Sequence, residues 1–116
     1  MPCLVIKTNA KLTKEQLDAA TADLSKIISK TTGKPEDYIM VCIEDGLAMR
    51  FANSDEKCIF MEFRSIGKID AKTNKTHSKE FTNYFVSKLG FNAERIYISF
   101  ENKAGSDWGY AGSTFG

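Results

Sequence analysis

Pro2 is the residue of this chain whose type and position could do chemistry. It follows Met1 and precedes the apolar run Cys3 to Ile6. An initiator methionine before a small residue is usually removed, and removal would leave a secondary α-amine at the start of a buried strand. Because an α-amine titrates only slightly above neutrality and burial penalises its charged form, this amine is predicted to act as a general base. The alternative is that Pro2 is an edge-strand proline at a frayed terminus.

The cysteines and the histidine give less support for chemistry. Cys3, Cys42 and Cys58 lie in strand-like runs, and an odd number of widely spaced cysteines predicts reduced, packed thiols. The sequence has no C-x-x-C motif, so a thiol redox function is not indicated. His77 lies among polar residues near a predicted helix start and is expected to be solvated, with no metal partner nearby. We therefore predict neither a metal site nor a cofactor.

Composition and charge exclude several classes of function. A chain of 116 residues with 42% apolar and 27% charged residues is predicted to form one domain with a real core. Its 16 basic and 15 acidic residues are well mixed, so no nucleic-acid surface is indicated. No apolar run is long enough for a membrane span, and the N-terminus lacks a signal-peptide pattern. We expect a cytoplasmic protein whose export, if any, would use a non-classical route.

Two helices and four strands are predicted from periodicity and end signals. Thr13-x-x-Gln16 is a potential capping box, and Gly33 and Gly90 mark two helix ends. The apolar residues at helical spacing are Leu17, Ala20, Leu24, Ile27 and Ile28 in the first helix and Phe81, Tyr84, Phe85 and Leu89 in the second. The predicted strands are Cys3 to Ile6, Tyr38 to Ile43, Cys58 to Phe63 and Ile96 to Phe100.

The two halves of the chain align at a constant offset. Gly33 lies 57 residues before Gly90, and Glu44 lies 57 residues before Glu101. The pattern predicts an α+β fold of two duplicated β-α-β units, which form a four-stranded mixed sheet with both helices on one face. A chance alignment of patterned segments is the alternative. The single domain would span residues 1–116, with a repeat of roughly 2–56 and 57–104. Residues 105–116 would form a tail.

The two faces of the predicted sheet differ in character and suggest an oligomer. One alternating set of strand residues is uniformly apolar and belongs under the helices. The other set mixes apolar and charged residues: Cys3, Val5, Lys7, Met40, Cys42, Glu44, Phe60, Glu62, Arg64, Tyr97, Ser99 and Glu101. Because two helices cover only one side of a sheet, the mixed face is predicted to be a subunit interface with a wet interior. The aromatic residues of the tail are expected to pack against a neighbouring subunit.

Several short stretches resemble the macrophage migration inhibitory factor family of the tautomerase superfamily. They are Met1-Pro2, Thr8-Asn9, Thr32 to Pro35 with Tyr38-Ile39, Ser65 to Ile69, Arg95 to Ile98, and Ser113 to Phe115. They follow the family's order and spacing along the whole chain. The resemblance implies a homotrimer with sites between subunits, keto–enol tautomerase activity of phenylpyruvate or dopachrome type, and, in many members, secreted signalling.

The resemblance also implies roles for individual residues. Pro2 would transfer the proton of a small aromatic α-keto acid or enol, and Lys34 would bind its carboxylate and keep the prolyl amine unprotonated. The Ser65-Ile66 segment would hydrogen-bond the substrate through the Ile66 backbone. The other substrate-binding candidates are Tyr97 and Ser99, with Tyr97 from the neighbouring subunit, and the aromatic residues Trp108, Tyr110 and Phe115. In the alternative reading Lys34 is merely solvated, Tyr97 is an interface residue, and Trp108 and Tyr110 are structural.

The sequence departs from the family pattern at three positions. Ser99 stands where the best-known member has an asparagine, so substrate anchoring there is expected to differ. Met61 interrupts the family's thiol motif, so oxidoreductase activity is expected to be absent. Trp108 replaces a smaller aliphatic residue and is predicted to narrow the pocket mouth.

Three classes of function stay open at this point. The first is an enzyme with Pro2 as its base, which the presence of Lys34 favours. The second is a cytokine-like ligand for a cell-surface receptor, with contacts near Lys11 and the Glu44-Asp45 loop and a vestigial pocket. The third is a trimeric binding module without activity.

Overall fold

A central four-stranded sheet and two helices make up most of the fold. The computed structural model describes residues 1–116. The strands are β1 (Cys3–Thr8), β2 (Met40–Glu44), β3 (Ile59–Ser65) and β4 (Ile96–Asn102), and the helices are α1 (Lys14–Thr32) and α2 (Ala71–Leu89). The sheet order is β2-β1-β3-β4. β1 and β3 are antiparallel at the centre, while at the two edges β2 runs parallel to β1 and β4 runs parallel to β3. The predicted mixed sheet with both helices on one face is confirmed.

The two β-α-β units correspond closely. Both helices are 19 residues long, and α2 begins at Ala71, 57 positions after Lys14, where α1 begins. The single-turn 3₁₀ helices that precede β2 and β4, Glu36–Tyr38 and Ala93–Arg95, keep the same separation. Because the equivalent strands β1 and β3 pair antiparallel, the units are related by a pseudo-twofold axis between them. The predicted duplication of the β-α-β unit is therefore observed.

Local sequence accounts for the helix ends. Thr13 accepts a hydrogen bond from the Gln16 N–H, and the Gln16 side chain accepts one from the Thr13 N–H, which is the predicted capping box. Both helices end at glycines in the left-handed region, Gly33 with φ 72° and Gly90 with φ 69°. A residue with a Cβ is disfavoured there, so these two glycines stop the helices as predicted.

The core lies between the sheet and the helices. The strand residues predicted to face the helices are buried or half-buried, and most of the residues at helical spacing meet them there. The fully buried members are Leu4, Ile6, Ala20, Leu24, Ile28, Met61, Phe63, Phe81 and Phe85. The opposite face is open, with Met40 62% and Tyr97 63% exposed. Neither helix is long and apolar enough to cross a membrane.

Two predictions about local structure are wrong. β2 begins at Met40, and Tyr38 lies in the preceding 3₁₀ turn, where its N–H donates to the carbonyl of Pro35. His77 is not solvated: it is fully buried. The reason is its position in α2, one turn before Phe81, which puts both side chains on the face that packs on the sheet. The polar neighbours of His77 in the sequence lie on other faces of the helix.

Arg95 is a buried structural residue that the sequence did not single out. Its guanidinium donates to the carbonyl oxygens of four residues in the segment before β3, namely Phe51, Ser54, Glu56 and Lys57, at 2.9–3.2 Å. Its charged group also lies 5.3 Å from the centre of the Phe51 ring. One side chain therefore supplies the hydrogen-bond donors that hold this segment against the start of β4.

We expect Arg95→Met to lower the free energy of unfolding by about 2–4 kcal/mol, because several carbonyl groups would lose their donor in a partly buried site. Arg50→Met is the matched control, since Arg50 is exposed and belongs to the same connection between β2 and β3. Urea unfolding followed by circular dichroism measures both. Equal midpoints for the two variants would contradict the role assigned to Arg95.

Candidate active site

A cavity of about 260 Å³ opens beside the start of β1. Its walls come from the N-terminus, from the turn before β2 and from the C-terminal tail. The lining residues are Met1, Pro2, Cys3, Asp37, Tyr38, Ile39, Met40, Trp108, Gly109, Tyr110 and Phe115. Of the predicted site residues, the structure thus brings Pro2, Trp108, Tyr110 and Phe115 together in one chain.

Pro2 is held rigidly at this cavity. The residue is fully buried, and its carbonyl oxygen accepts a hydrogen bond of 3.1 Å from the Met40 N–H of the neighbouring strand. The alternative of a frayed terminal proline is therefore not what the structure has, because the hydrogen bonding of the sheet extends to this residue.

The α-amine at this end of the chain is perturbed. Burial, then the charge of Lys34 and a hydrogen bond with its side chain, lower the pKa of the Met1 α-amine from 8.0 to about 6. The Met1 amine is therefore largely neutral at pH 7. Burial also raises the pKa of the Cys3 thiol, so the cavity presents a neutral thiol rather than a thiolate.

The end of α1 positions Lys34. Gly33 turns the chain in the left-handed conformation. Two hydrogen bonds then hold the backbone of the next residue, Lys34. The Ser29 hydroxyl donates to the Lys34 carbonyl oxygen at 2.6 Å, and the Lys34 N–H donates to the Thr32 hydroxyl oxygen at 3.2 Å. With its backbone fixed in this way, half-buried Lys34 directs its charge towards the N-terminal amine.

The C-terminal tail forms an aromatic wall of the cavity. It contains a hairpin of β5 (Gly109–Tyr110) and β6 (Ser113–Thr114), which the sequence analysis did not predict. The hairpin turn places Ala111 at φ 51° and Gly112 at φ 81°, as a two-residue turn of type I′ requires. The Tyr110 ring stacks on that of Phe115 at 5.3 Å and meets the Tyr38 ring edge-on at 6.0 Å. Tyr110 and Phe115 therefore make contacts within their own chain, while 57% of Tyr110 stays exposed. The packing of the tail against a neighbouring subunit stays a prediction.

The Ser65-Ile66 segment lies next to Pro2 without lining the cavity. The antiparallel register that pairs Cys3 with Arg64 puts Ser65 across from Pro2 at the end of β3. Ser65 is fully buried, and its hydroxyl has no hydrogen-bond partner. Ile66 follows it at the start of a turn and is half-buried. The segment is thus close enough to border the site.

Tyr97 and Ser99 lie elsewhere in the same chain. Tyr97 pairs with Phe60, which pairs with Lys7 in β1, five residues beyond Pro2. At the rise of a strand this separation is roughly 16 Å along the sheet. Both Tyr97 and Ser99 are exposed on the face away from the helices. Neither side chain lines the cavity of its own chain.

Tyr38 and its neighbours are site residues that the sequence reasoning missed. Tyr38 and Ile39 belong to a stretch that carried the family resemblance, but the periodicity placed them in a strand. The available indication was Pro35 followed by two acidic residues, a pattern that favours a turn before the strand. That turn rotates Tyr38 towards the cavity, where it completes the aromatic wall.

The arrangement suits a small anionic, aromatic molecule. Lys34 does not line the cavity, but its charge acts on the terminal amine, where it is a partner for a carboxylate. The rings of Tyr38, Tyr110 and Phe115 offer flat apolar surfaces, and the neutral Met1 amine can accept a proton. No group of three or more His, Cys, Asp or Glu side chains is arranged to hold a metal ion.

We expect Lys34→Met to raise the pKa of the Met1 α-amine above about 6, because the nearby positive charge is removed. The value should stay below 8.0, because burial, the larger cause of the shift, is retained. NMR titration of the amine in the chain that retains Met1 measures the change. Lys30→Met, at an exposed position on the last turn of α1, is the control and should leave this pKa unaltered. An identical pKa in both variants would contradict the proximity of Lys34.

Comparison with known proteins gives one consistent family. The family profile described as macrophage migration inhibitory factor (MIF) matches residues 1–116. The macrophage migration inhibitory factor of Xenopus tropicalis is 35% identical over 115 residues, which cover 99% of each chain. The crystal structure of a homologue from Prochlorococcus marinus is 31% identical, with a TM-score of 0.94 and coverage of 98% of this chain and 99% of that one. The Toxoplasma gondii protein is 33% identical, with a TM-score of 0.92 and coverage of 97% and 99%. The chain therefore belongs to the macrophage migration inhibitory factor family and has the tautomerase-superfamily fold.

Proposed function

We propose that the protein is a keto–enol tautomerase of phenylpyruvate or dopachrome type, which uses the amine of Pro2 as its general base and acts as a homotrimer. The observation that carries the proposal is the environment of the N-terminus. Pro2 is buried at an aromatic cavity, and the amine next to it has a pKa of about 6 because of burial and Lys34. Family membership supports isomerase chemistry in general, and the geometry supports this particular base.

The proposed reaction is a proton transfer within one substrate. Once Met1 is removed, the neutral secondary amine of Pro2 takes the hydroxyl proton of the enol, and the oxygen becomes a carbonyl as the electron pair moves to the adjacent carbon. That carbon then receives the proton from the prolinium, so the amine is regenerated. Lys34 binds the carboxylate and favours the neutral form of the amine, while the Ile66 N–H stabilises the negative charge on the substrate. The reverse sequence converts the keto form to the enol.

The homotrimer explains how Tyr97 would contribute to the site. Tyr97 is 63% exposed and roughly 16 Å along the sheet from its own Pro2, so it can line a pocket only in another copy. The face on which it lies carries apolar and charged residues together and is not covered by either helix. A closed assembly through this face would bury the apolar members and bring Tyr97 to the neighbour's cavity.

Two departures from the family pattern bear on the substrate. Ser99 is a short exposed hydroxyl, which offers less reach than an amide for anchoring a distant group. Trp108 lines the cavity beside Pro2 and a second cavity of about 260 Å³ formed with Arg64 and Lys103, so it acts as a partition between them. We expect this partition to favour flat, phenyl-sized substrates. Met61 is fully buried under the helices, and no oxidoreductase role is proposed there.

We expect Pro2→Gly to reduce phenylpyruvate tautomerisation at pH 7 by about 100-fold or more, the usual contribution of a general base. Glycine is small enough for methionine removal, so the variant tests the secondary amine rather than the processing. Intact mass and activity are measured on the same samples of wild type and variant. A processed wild type with no activity would exclude the enzyme and favour a receptor-binding ligand with a vestigial pocket. Activity that survives in processed Pro2→Gly would exclude Pro2 as the base.

We expect sedimentation to give a particle of three 13.0 kDa chains. If sites lie between subunits, Pro2→Gly and Tyr97→Ala chains should each be weak alone. After they are unfolded together and refolded as a mixture, they should regain activity, because some sites then combine an intact Pro2 with an intact Tyr97. A monomer, or a mixture no more active than the average of its components, would contradict the shared site.

A further inference from the structure

His77 is a buried titratable residue for which the proposed reaction has no use. It is the only histidine of the chain and is fully buried. Aromatic rings from three elements enclose it: Phe63 of β3 at 4.9 Å, Phe81 of α2 at 5.7 Å and Phe100 of β4 at 6.3 Å between ring centres. A polar ring buried in such a cluster stabilises the fold less than a phenyl ring would, because its nitrogens lose their contact with water. The contacts of these nitrogens are therefore the feature that needs an explanation.

The imidazole makes one hydrogen bond, to a backbone carbonyl. Its Nε2 lies 3.1 Å from the carbonyl oxygen of Lys68, and a carbonyl can only accept. Nε2 therefore carries the hydrogen. The other nitrogen, Nδ1, is buried and has no partner. The neutral ring with its hydrogen on Nε2 leaves only the Nδ1 lone pair without a partner, whereas the charged ring would leave a buried N–H without an acceptor.

The carbonyl that His77 holds belongs to the turn that carries Ile66. Gly67 has φ 78° and Lys68 has φ 62°, so two successive residues lie in the left-handed region, the second of them with a side chain. That conformation is disfavoured for lysine and persists only where the surroundings hold it. The Gly67 N–H donates to Asn102 at 2.9 Å, and the Thr73 hydroxyl donates to the same Lys68 carbonyl at 2.8 Å. His77 thus supplies the buried one of two donors at this carbonyl.

We propose that His77 is a positioning residue, which holds the Lys68 carbonyl and thereby fixes the turn that presents the Ile66 backbone to the substrate. The inference rests on the proposed function, because it takes from it the role of Ile66. His77 does not touch the reacting atoms. It acts through the turn, and protonation at Nδ1 would disturb the site, because it creates a buried N–H that has no acceptor there.

The surroundings of the ring determine how it titrates. The three enclosing rings carry no charge, and burial lowers the pKa of His77 below 6.5, while the hydrogen bond to Lys68 and the Asp70 carboxylate at the start of α2 act in the opposite direction. Because the folded state binds this proton less readily than the unfolded state, stability is lost as the pH falls from 6.5 through the folded-state pKa. The turn should loosen in that same range.

Two substitutions at His77 test the positioning role. His77→Phe extends the aromatic cluster but removes the donor, whereas His77→Gln keeps a side-chain N–H for the Lys68 carbonyl. At pH 8, where His77 is neutral, we expect His77→Phe to raise the KM for phenylpyruvate about fivefold, with kcat within about twofold, the effect of one hydrogen bond. Exchange of the Gly67 amide hydrogen should accelerate by about the same factor. His77→Gln should lie near wild type in both.

Unchanged KM and Gly67 exchange in His77→Phe would overturn the inference, and so would a glutamine variant no better than phenylalanine. The exchange measurement needs no turnover, so an inactive wild type would refute the proposed function and leave this inference to be decided by exchange. If His77→Phe does not fold, an NMR titration of the wild type still tests the proposal. Its single histidine gives one C2–H resonance, and the amide resonances of Gly67 and Lys68 should shift with the same midpoint. Amides that do not respond at that midpoint would overturn the proposal.

Discussion

The pairing of β1 with strands on both sides is the constraint on which the site depends. Because β1 and β2 are parallel, both strands start at the same end of the sheet, and the segment that precedes β2 reaches Pro2. Because β1 and β3 are antiparallel, β3 finishes at that end of the sheet and places Ser65 there. Lys34 and Tyr38 approach from one side and Ser65 from the other. An irregular set of sequence positions thus becomes one site through the pairing of a single strand.

The internal duplication gives two similar units but only one cavity of this kind. The position equivalent to Lys34 in the second unit is Phe91, which is 97% buried and packs in the core, with Lys57 over its ring at 4.6 Å. The position equivalent to Pro2 is Ile59, which lies inside the chain and has no free amine. The second unit therefore has neither a terminal amine nor a lysine beside it. The second unit also has His77 at the position that corresponds to Ala20 of α1. This histidine holds the Lys68 carbonyl in the turn beside the site of the first unit.

More of the fold than of the candidate site could be predicted from the sequence. Helical spacing, the capping box at Thr13 and the stop at Gly33 are local features, and the structure retains them. The register of the sheet joins residues far apart in the chain, and no local pattern specifies it. For that reason Tyr38 was assigned to a strand, and the hairpin in the tail was not predicted. The type I′ turn around Gly112 and the packing of Tyr110 on Tyr38 are visible only in three dimensions.

By itself, the sequence determined the α+β architecture, the two helix boundaries set by glycine and the chemical character of Pro2, because periodicity, backbone preference and amine chemistry belong to single residues and their near neighbours. The tertiary structure decided which side chains meet Pro2 and how far its environment is dehydrated. Only in the tertiary structure does the charge of Lys34 lie by the terminal amine, Tyr97 lie far from the cavity of its own chain, and His77 lie buried against the Lys68 carbonyl. The physical reason is that burial and electrostatic fields arise from residues brought together by long-range strand pairing, which spacing along the chain does not encode.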